Sequence, residues 1–204
     1  MKRSYHIGQV RMRVGTALRR FAGRATVLGL SLTLVLAGHA AEEKAKPTEY
    51  QVKAAYLYHF GRFVEWPAGL AMKHQGFEIC VLGQDPFGPT LDAAVAGEAI
   101  EQSVVRVRRI TNASESASCR ILFISTSEES NLKKILNELR KDPVLTVSDI
   151  PHFVQRGGMI RFVPEDNRVR FEVNLGAAQD AGLILSSELL KVAVNVERSS
   201  RARN

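Results

Sequence analysis

The 204-residue chain lacks the patterns on which most enzymes and metalloproteins depend. It has two cysteines and five histidines, and none of them stand at the spacing of a zinc site. A Gly-x-Ser-x-Gly elbow, a P-loop and a Gly-x-Gly-x-x-Gly fingerprint are all missing, which argues against a serine hydrolase, a phosphate cradle and a dinucleotide site. We therefore expect no enzymatic activity, no metal and no cofactor.

Acidic residues are absent from the first forty positions, and this accounts for the formal net charge of +7. Residues 1–40 contain seven Lys or Arg, whereas the rest of the chain contains 21 basic and 21 acidic residues. A basic charge confined to one terminus does not make a nucleic-acid surface on the folded domain. We therefore expect no nucleic-acid partner.

The sequence also lacks an apolar run of the roughly 20 residues that a transmembrane helix needs. Residues 25–37 are apolar, follow a basic segment and precede the small residues Gly38 and Ala40, as in a secretory signal. We predict that 1–40 is a signal peptide cleaved after Ala40, with an uncleaved membrane anchor as the alternative. The rest of the predicted organisation is a flexible leader, a folded domain and a disordered tail, over 41–47, 48–197 and 198–204.

Apolar periodicity predicts one α/β domain, because buried-strand and amphipathic-helix patterns alternate along the chain. A capping box at Thr48 and Gln51 starts the first helix, which we expect to run to Trp66, before Pro67. Asp85 is the predicted N-cap of the second helix. The predicted strands are 77–82, 104–110, 121–125, 144–147, 159–163 and 168–174.

The order of these elements predicts a mixed sheet that is flanked by helices. The sheet is expected to be parallel in its first part and antiparallel at a C-terminal hairpin, formed by 159–163 and 168–174. We place the first strand between the second and the third. A short helix that ends at Gly182 and a closing helix capped by Ser186 follow the hairpin.

Four arginines occupy alternate positions of two predicted strands, which places each pair on one face of its strand. Guanidinium groups bind carboxylate and phosphate oxygens through two parallel hydrogen bonds. We interpret Arg106, Arg108, Arg168 and Arg170 as a candidate anion-binding face, with an ordinary solvated face as the alternative.

Two apolar features are candidate anchors for a partner protein. Trp66 stands at the predicted end of the first helix, where one edge of an indole often stays in contact with water. Leu183, Ile184 and Leu185 form an apolar run between Gly182 and a helix cap. The alternative is that Trp66 and this run pack together in the core.

Cys80 and Cys119 both lie in the part of the chain that is expected to be exported. An oxidising compartment makes a disulfide chemically available, and two cysteines pair without remainder. Two buried free thiols in neighbouring strands are the alternative.

Several segments, in their order, resemble the YfiR-like periplasmic family across about residues 48–197. They are KAAYLYHFGRFVEWP, FEICVLGQDPFG, CRILFIS, VLTVSD, GGMIRF and NRVRFEVNLGAAQDAGLILSSELLKVA. The resemblance implies a periplasmic repressor that binds the periplasmic domain of an inner-membrane diguanylate cyclase, or a similar membrane sensor, and lowers cyclic di-GMP. An outer-membrane lipoprotein and a second copy of the chain are further candidate partners.

The resemblance also concerns individual positions. Cys80 and Cys119 match the structural disulfide of the family, whereas a second cysteine pair of its type member is missing here. The type member has an arginine before the tryptophan of its ligand pocket, and this chain has Glu65 there, so we do not transfer that pocket.

The alternative hypothesis is a periplasmic ligand-binding or accessory module for a sensor kinase or an outer-membrane receptor.

Overall fold

Within residues 46–68 and 76–198, eight strands form a mixed sheet that has helices on both of its faces. The computed structural model describes residues 46–68 and 76–198. The strands are β1 Val64–Glu65, β2 Phe77–Leu82, β3 Ala99–Ile100, β4 Ser103–Ile110, β5 Cys119–Ile124, β6 Leu145–Ser148, β7 Ile160–Glu165, β8 Arg168–Asn174, β9 Ile184–Leu185 and β10 Asn195–Glu197. The α-helices are α1 Glu49–Phe63, α2 Pro89–Val95, α3 Leu132–Glu138, α4 Leu175–Asp180 and α5 Ser187–Val192.

Three predicted segments fall wholly or mostly outside the described residues. They are the signal peptide over 1–40, the leader up to residue 45, and the tail beyond residue 198. Within the described ranges, no helix combines the length and the apolar character needed to cross a bilayer.

The strands of the main sheet lie in the order β10-β8-β7-β6-β5-β2-β4-β3. Strand β2 pairs in parallel with both β4 and β5, which confirms the predicted position of the first long strand. Strands β6 and β7 extend the parallel part, and β7 and β8 form the predicted antiparallel hairpin. Strands β1 and β9 pair separately as a two-stranded ribbon.

Two apolar clusters pack helices against the two faces of the sheet. Side chains alternate along β2, so Ile79 and Val81 join the cluster that includes α1 and α2, whereas Cys80 and Leu82 join the one that includes α3. Every residue of β5 is buried. Because both strands are covered on both sides, their sequences are almost continuously apolar.

Helix α1 begins at the predicted capping box. The hydroxyl of Thr48 accepts a hydrogen bond from the backbone N–H of Gln51, whose side-chain oxygen accepts one from the backbone N–H of Thr48. The helix ends at Phe63, three residues earlier than predicted. The reason is the ribbon, in which Glu65 pairs with Ile184 and the chain is already extended.

Asp85 does not cap the second helix, so this prediction is wrong. Helix α2 begins at Pro89, after Gly88, and Asp85 Oδ1 instead accepts a hydrogen bond from the backbone N–H of Phe87 at 2.8 Å. Its second oxygen, Oδ2, accepts one from Arg109 Nε at 2.9 Å. A cation on strand β4 therefore binds the carboxylate and holds the loop in front of the helix.

The C-terminal part of the chain contains two short helices with side-chain caps. Asn174 and Ser186 each accept a hydrogen bond from a backbone N–H in the first turn, at the starts of α4 and α5. The predicted cap at Ser186 is thereby confirmed. The closing helix ends at Val192 and does not reach Val194 as its apolar spacing predicted, because Asn195–Glu197 pairs with β8 as strand β10.

Candidate functional site

Cys80 and Cys119 form a disulfide, with their Cα atoms 5.8 Å apart. Cys80 lies in β2 and Cys119 begins β5, and these strands are neighbours in the sheet. Both residues are buried, and no cysteine remains free. The disulfide is confirmed, and the alternative of two free thiols is wrong.

The two disulfide cysteines and Glu78 form a group of potential metal ligands, but not a metal site. Glu78 lies within 4.8 Å of both cysteine sulfurs. Each sulfur is already bonded to the other, so neither can act as a thiolate ligand. The carboxylate of Glu78 accepts a hydrogen bond from the Ser118 hydroxyl at 2.6 Å and pairs with Arg108 at 3.6 Å. These contacts make it part of a local polar network.

The four arginines predicted to form one anion-binding face belong to two distant strands. Arg106 and Arg108 lie in β4, whereas Arg168 and Arg170 lie in β8. Strands β2, β5, β6 and β7 separate them, so the two pairs are about 24 Å apart at the usual spacing of about 4.8 Å per strand. The prediction of a single site is therefore wrong, because strand order decides which faces meet.

The apolar run before the last helix is divided between core and surface. Leu183 and Leu185 are only 1% and 7% exposed and pack in the cluster beneath α1, whereas Ile184 is 62% exposed. Side chains alternate between the two faces along β9 and the residue before it, which explains this division. Leu183 and Leu185 cannot anchor a partner without opening the core, so their predicted role is corrected. Ile184 stays a candidate anchor.

Trp66 is half-buried and lies directly beyond the ribbon. Its ring packs edge-on against Phe77, with the centroids 5.3 Å apart. The indole nitrogen is shielded from water and has no hydrogen-bond acceptor among the described residues, so the wet edge that we predicted is not the N–H edge. A partly exposed ring beside Glu65 keeps Trp66 a candidate contact.

Three residues at the ribbon form one candidate contact surface, the ribbon surface. Its members are exposed and lie at the end of α1 and on the two ribbon strands: Phe63, Glu65 and Ile184. Trp66 follows Glu65 and falls opposite Leu183, so it packs on the core side of the ribbon and stays a separate candidate contact. The backbone N–H of Ser186 donates a hydrogen bond to the carbonyl of Phe63, which ties the end of α1 to β9. The apolar members are thus held on rigid elements.

A second candidate site, which sequence reasoning missed, contains a buried lysine. Lys53 is 4% exposed, and its Nζ lies 2.8 Å from Asp149 Oδ2 and 2.6 Å from Glu49 Oε1. The ammonium also stands 4.7 Å from the ring centre of Tyr50. Burial lowers the pKa of Lys53, but the hydrogen bonds to Asp149 and Glu49 outweigh that effect and raise the pKa above its ordinary value.

Lys53 borders a cleft of about 1010 Å³ beside the β7–β8 hairpin. Strand β6 pairs with β7 only through Val147 and Ser148, opposite Ile160 and Arg161, so the hairpin extends beyond the end of β6. The first half of α1 and the segment after β6 enclose the space beside it. We name this space the hairpin cleft; its lining includes Lys46, Val52, Lys53, Tyr56, Asp149, Arg161, Phe162, Val163, Pro164, Arg168, Val169 and Arg170.

Two signals in the sequence pointed weakly to this cleft. Glu49 and Lys53 stand four residues apart in the first helix, a spacing that brings side chains together. Asp149 directly follows a buried strand, and the carboxyl ends of parallel strands are the usual place for ligand sites in α/β folds. Neither signal shows that Lys53 and Asp149 meet, because 96 residues separate them.

Two solved structures are similar to part of this chain, at low sequence identity. The ABC domain in complex with L-Trp from Streptococcus pneumonia is 12% identical with a TM-score of 0.47, over 70% of this chain and 60% of that one. A conserved domain protein from Vibrio cholerae O1 biovar El Tor is 10% identical with a TM-score of 0.42, over 59% of this chain and 54% of that one. The chain thus covers less than two thirds of either protein.

Comparison with curated proteins gives no match. The sequence pattern of one family, described as YfiR/HmsC-like, matches residues 50–194. That range begins in α1 and extends past the end of α5, so it includes the hairpin, the disulfide and the ribbon. The predicted resemblance is confirmed: the chain belongs to the YfiR/HmsC-like family.

Proposed function

We propose that the protein is a periplasmic regulator that binds the periplasmic domain of an inner-membrane diguanylate cyclase, or a similar membrane sensor, and inhibits it. The observation that carries this proposal is the family match over residues 50–194. The protein acts by binding and not by catalysis. Inhibition across the membrane requires only that it binds the inactive state of the partner more tightly than the active state.

The ribbon surface is the part of the protein that we assign to this contact. The chain beyond residue 40 has equal numbers of basic and acidic residues, so long-range attraction by net charge contributes little to recognition. Binding energy in such interfaces is concentrated in a few apolar or aromatic anchors. Ile184 supplies an aliphatic anchor and Phe63 an aromatic anchor, and both are exposed.

An in-frame deletion in the source organism tests the proposal. Loss of an inhibitor releases the cyclase, so intracellular cyclic di-GMP and biofilm formation should both rise and should return to normal when the gene is supplied in trans. An unchanged cyclic di-GMP level in a strain with an intact membrane cyclase would contradict the proposal.

A ligand-binding or accessory module for a sensor kinase or an outer-membrane receptor is the second candidate function. The hairpin cleft favours it, because its volume of about 1010 Å³ lies at the upper end of the range for small-molecule sites. Purification of the tagged protein from detergent-solubilised membranes distinguishes the two functions. A diguanylate cyclase among the bound proteins supports the first, and a kinase or receptor supports the second.

A further inference from the structure

The hairpin cleft contains an unpaired strand edge, and this determines which side chains reach it. Strand β7 pairs with β6 only as far as Arg161, so among the described residues Phe162 to Glu165 have a strand neighbour on the β8 side alone. Side chains from both faces of the hairpin can therefore border a space at this edge. Phe162 and Val169 lie on the α1 face, whereas Val163 and Arg170 lie on the opposite face.

The lining of the cleft carries an excess of positive charge. Five cations and two carboxylates border it: Lys46, Lys53, Arg161, Arg168 and Arg170 against Glu49 and Asp149. Both carboxylates bind Lys53, so they do not neutralise the arginines. Two more carboxylates, from Glu165 and Glu172, pair with Arg170 and Arg161 beside the cleft and still leave one positive charge in excess.

The arginines of the cleft have hydrogen-bonding capacity that the protein does not use. Arg161 Nη1 lies 3.3 Å from Glu172, and Arg170 Nε lies 3.6 Å from Glu165, so each ion pair is single and long, although a guanidinium has five donors. The Nε of Arg161 and the Nε of Arg170 are shielded from water and donate to no acceptor within the described ranges, whereas 22% and 39% of the two side chains stay exposed. No carboxylate of those ranges lies within 4.0 Å of Arg168, which is exposed.

Apolar side chains lie in the same cleft as these cations. They come from α1 and from both strands of the hairpin: Val52, Tyr56, Phe162, Val163, Pro164 and Val169. A site with an apolar wall and a few convergent cations suits a ligand that has an apolar body and one anionic group. A carboxylate or a phosphate fits the fork of a guanidinium through two parallel hydrogen bonds.

We propose that the hairpin cleft binds a small organic anion, in which a carboxylate or phosphate group contacts Arg168 and Arg170 and an apolar body packs on Val163, Pro164 and Val169. This site is separate from the ribbon surface in its residues. The proposal does not depend on a cyclase partner, because ligand binding is a property of the protein alone.

Fluorescence titration of the purified protein with 1-anilinonaphthalene-8-sulfonate tests the proposal, because this probe joins an aromatic body to an anionic group. Decanoate and decyl phosphate should displace it. Decanol, which has the body without the charge, and inorganic phosphate, which has the charge without the body, should not. The stronger of the two displacing ligands identifies the preferred anionic group.

Paired variants locate the site. Arg168→Gln with Arg170→Gln should weaken probe binding about tenfold or more, because two charge-assisted contacts are lost. Arg106→Gln with Lys133→Gln removes the same charge from exposed positions outside the cleft and should change binding less than about twofold.

Three results would overturn the proposal. The two variant pairs could lose the same amount of affinity for the probe, or neither pair could lose any. Decanol could also displace the probe as efficiently as decanoate does. If the double arginine variant unfolds, Arg168→Gln alone decides, because Arg168 is exposed and has no ion pair with the described residues. That variant should weaken binding about threefold, and unchanged binding would equally reject the site. Failure of this test leaves the proposed inhibition of a cyclase standing, since the deletion experiment measures a different property.

Discussion

Lys53 and Asp149 form an ion pair of 2.8 Å that joins the first helix to the end of strand β6, across 96 residues of sequence. Only 5% of the Lys53 side chain and 16% of the Asp149 side chain are exposed, so water screens this pair weakly. The pair therefore belongs to the packing of α1 on the sheet as much as to the cleft.

A double-mutant cycle should reveal the strength of this pair. Asp149→Asn leaves a buried ammonium with one exposed partner, and we expect a loss of about 3 kcal/mol in the free energy of unfolding. Lys53→Met removes the buried charge and keeps the chain length, so its effect should be smaller, about 1–2 kcal/mol. The double variant should be more stable than the sum of both losses predicts, by at least about 1 kcal/mol. Urea denaturation measures all four proteins.

The matched control for this cycle is Glu49→Gln. Glu49 also contacts Lys53, but 61% of its side chain is exposed, so we expect a loss below about 1 kcal/mol. Additive effects of Lys53→Met and Asp149→Asn would contradict the structure.

The same pair should make stability depend on alkaline pH. The pKa of Lys53 is higher in the folded protein than in the unfolded chain, because its hydrogen bonds to Asp149 and Glu49 outweigh the effect of burial. The stabilising effect is therefore fully present below the unfolded pKa of about 10.4 and is lost as the pH rises through the folded pKa. The stability difference between the wild type and Lys53→Met should be constant from pH 7 to about pH 10 and should narrow above it.

The disulfide should contribute a large share of the stability. It closes a loop with a sequence separation of 39 residues, for which the chain-entropy relation gives about 4 kcal/mol. Cys80→Ala with Cys119→Ala should lower the free energy of unfolding by about that amount. A thiol reagent should label neither cysteine in the denatured, unreduced wild type, and labelling of both would contradict the disulfide.

Much of the sheet could be predicted from the sequence, because each long strand is identified by the apolar pattern of its own residues. Apolar runs identify β2 and β5, and a parallel strand order brings Cys80 and Cys119 together. Alternation along each strand likewise predicted which face of its strand each arginine pair occupies. It could not predict the distance between Arg108 and Arg168, because that distance depends on how many strands lie between β4 and β8. The two-residue strands of the ribbon have no pattern at all, so the early end of α1 could not be foreseen.

Gly61 in the last turn of α1 shows how long-range packing overrides local propensity. In an exposed helix, Gly→Ala stabilises by about 1 kcal/mol. Here a Cβ atom would lie 2.5 Å from Ile100 Cδ1 and 2.8 Å from Phe77 Cζ, both of which are buried. Overpacking of this kind costs about 1–3 kcal/mol, so we expect Gly61→Ala to be destabilising by about 1–2 kcal/mol.

The rescue variant for this prediction is Ile100→Val, which removes the Cδ1 atom nearest to the new methyl group. In the Gly61→Ala background it should recover part of the loss, although the same change alone should be mildly destabilising. Thermal unfolding followed by circular dichroism measures both. An increase in stability for Gly61→Ala would show that the neighbouring side chains move aside.

The ribbon surface gives the sharpest test of partner contact. Ile184→Asp changes a side chain that is 62% exposed, so the free energy of unfolding should stay within about 0.5 kcal/mol of the wild type. If Ile184 anchors the membrane partner, a charge in the interface should abolish inhibition, and cyclic di-GMP should rise to the level of the deletion strain.

Two variants make this test specific. Val104→Asp alters an apolar residue of similar exposure, 55%, in strand β4, which is not part of the ribbon surface, and it should fold and inhibit normally. Leu185→Asp places a carboxylate in the core beside the same ribbon and should fail to accumulate, because an unpaired buried charge is strongly destabilising. A stable Ile184→Asp protein that inhibits as well as the Val104→Asp control would place the partner contact outside the ribbon surface.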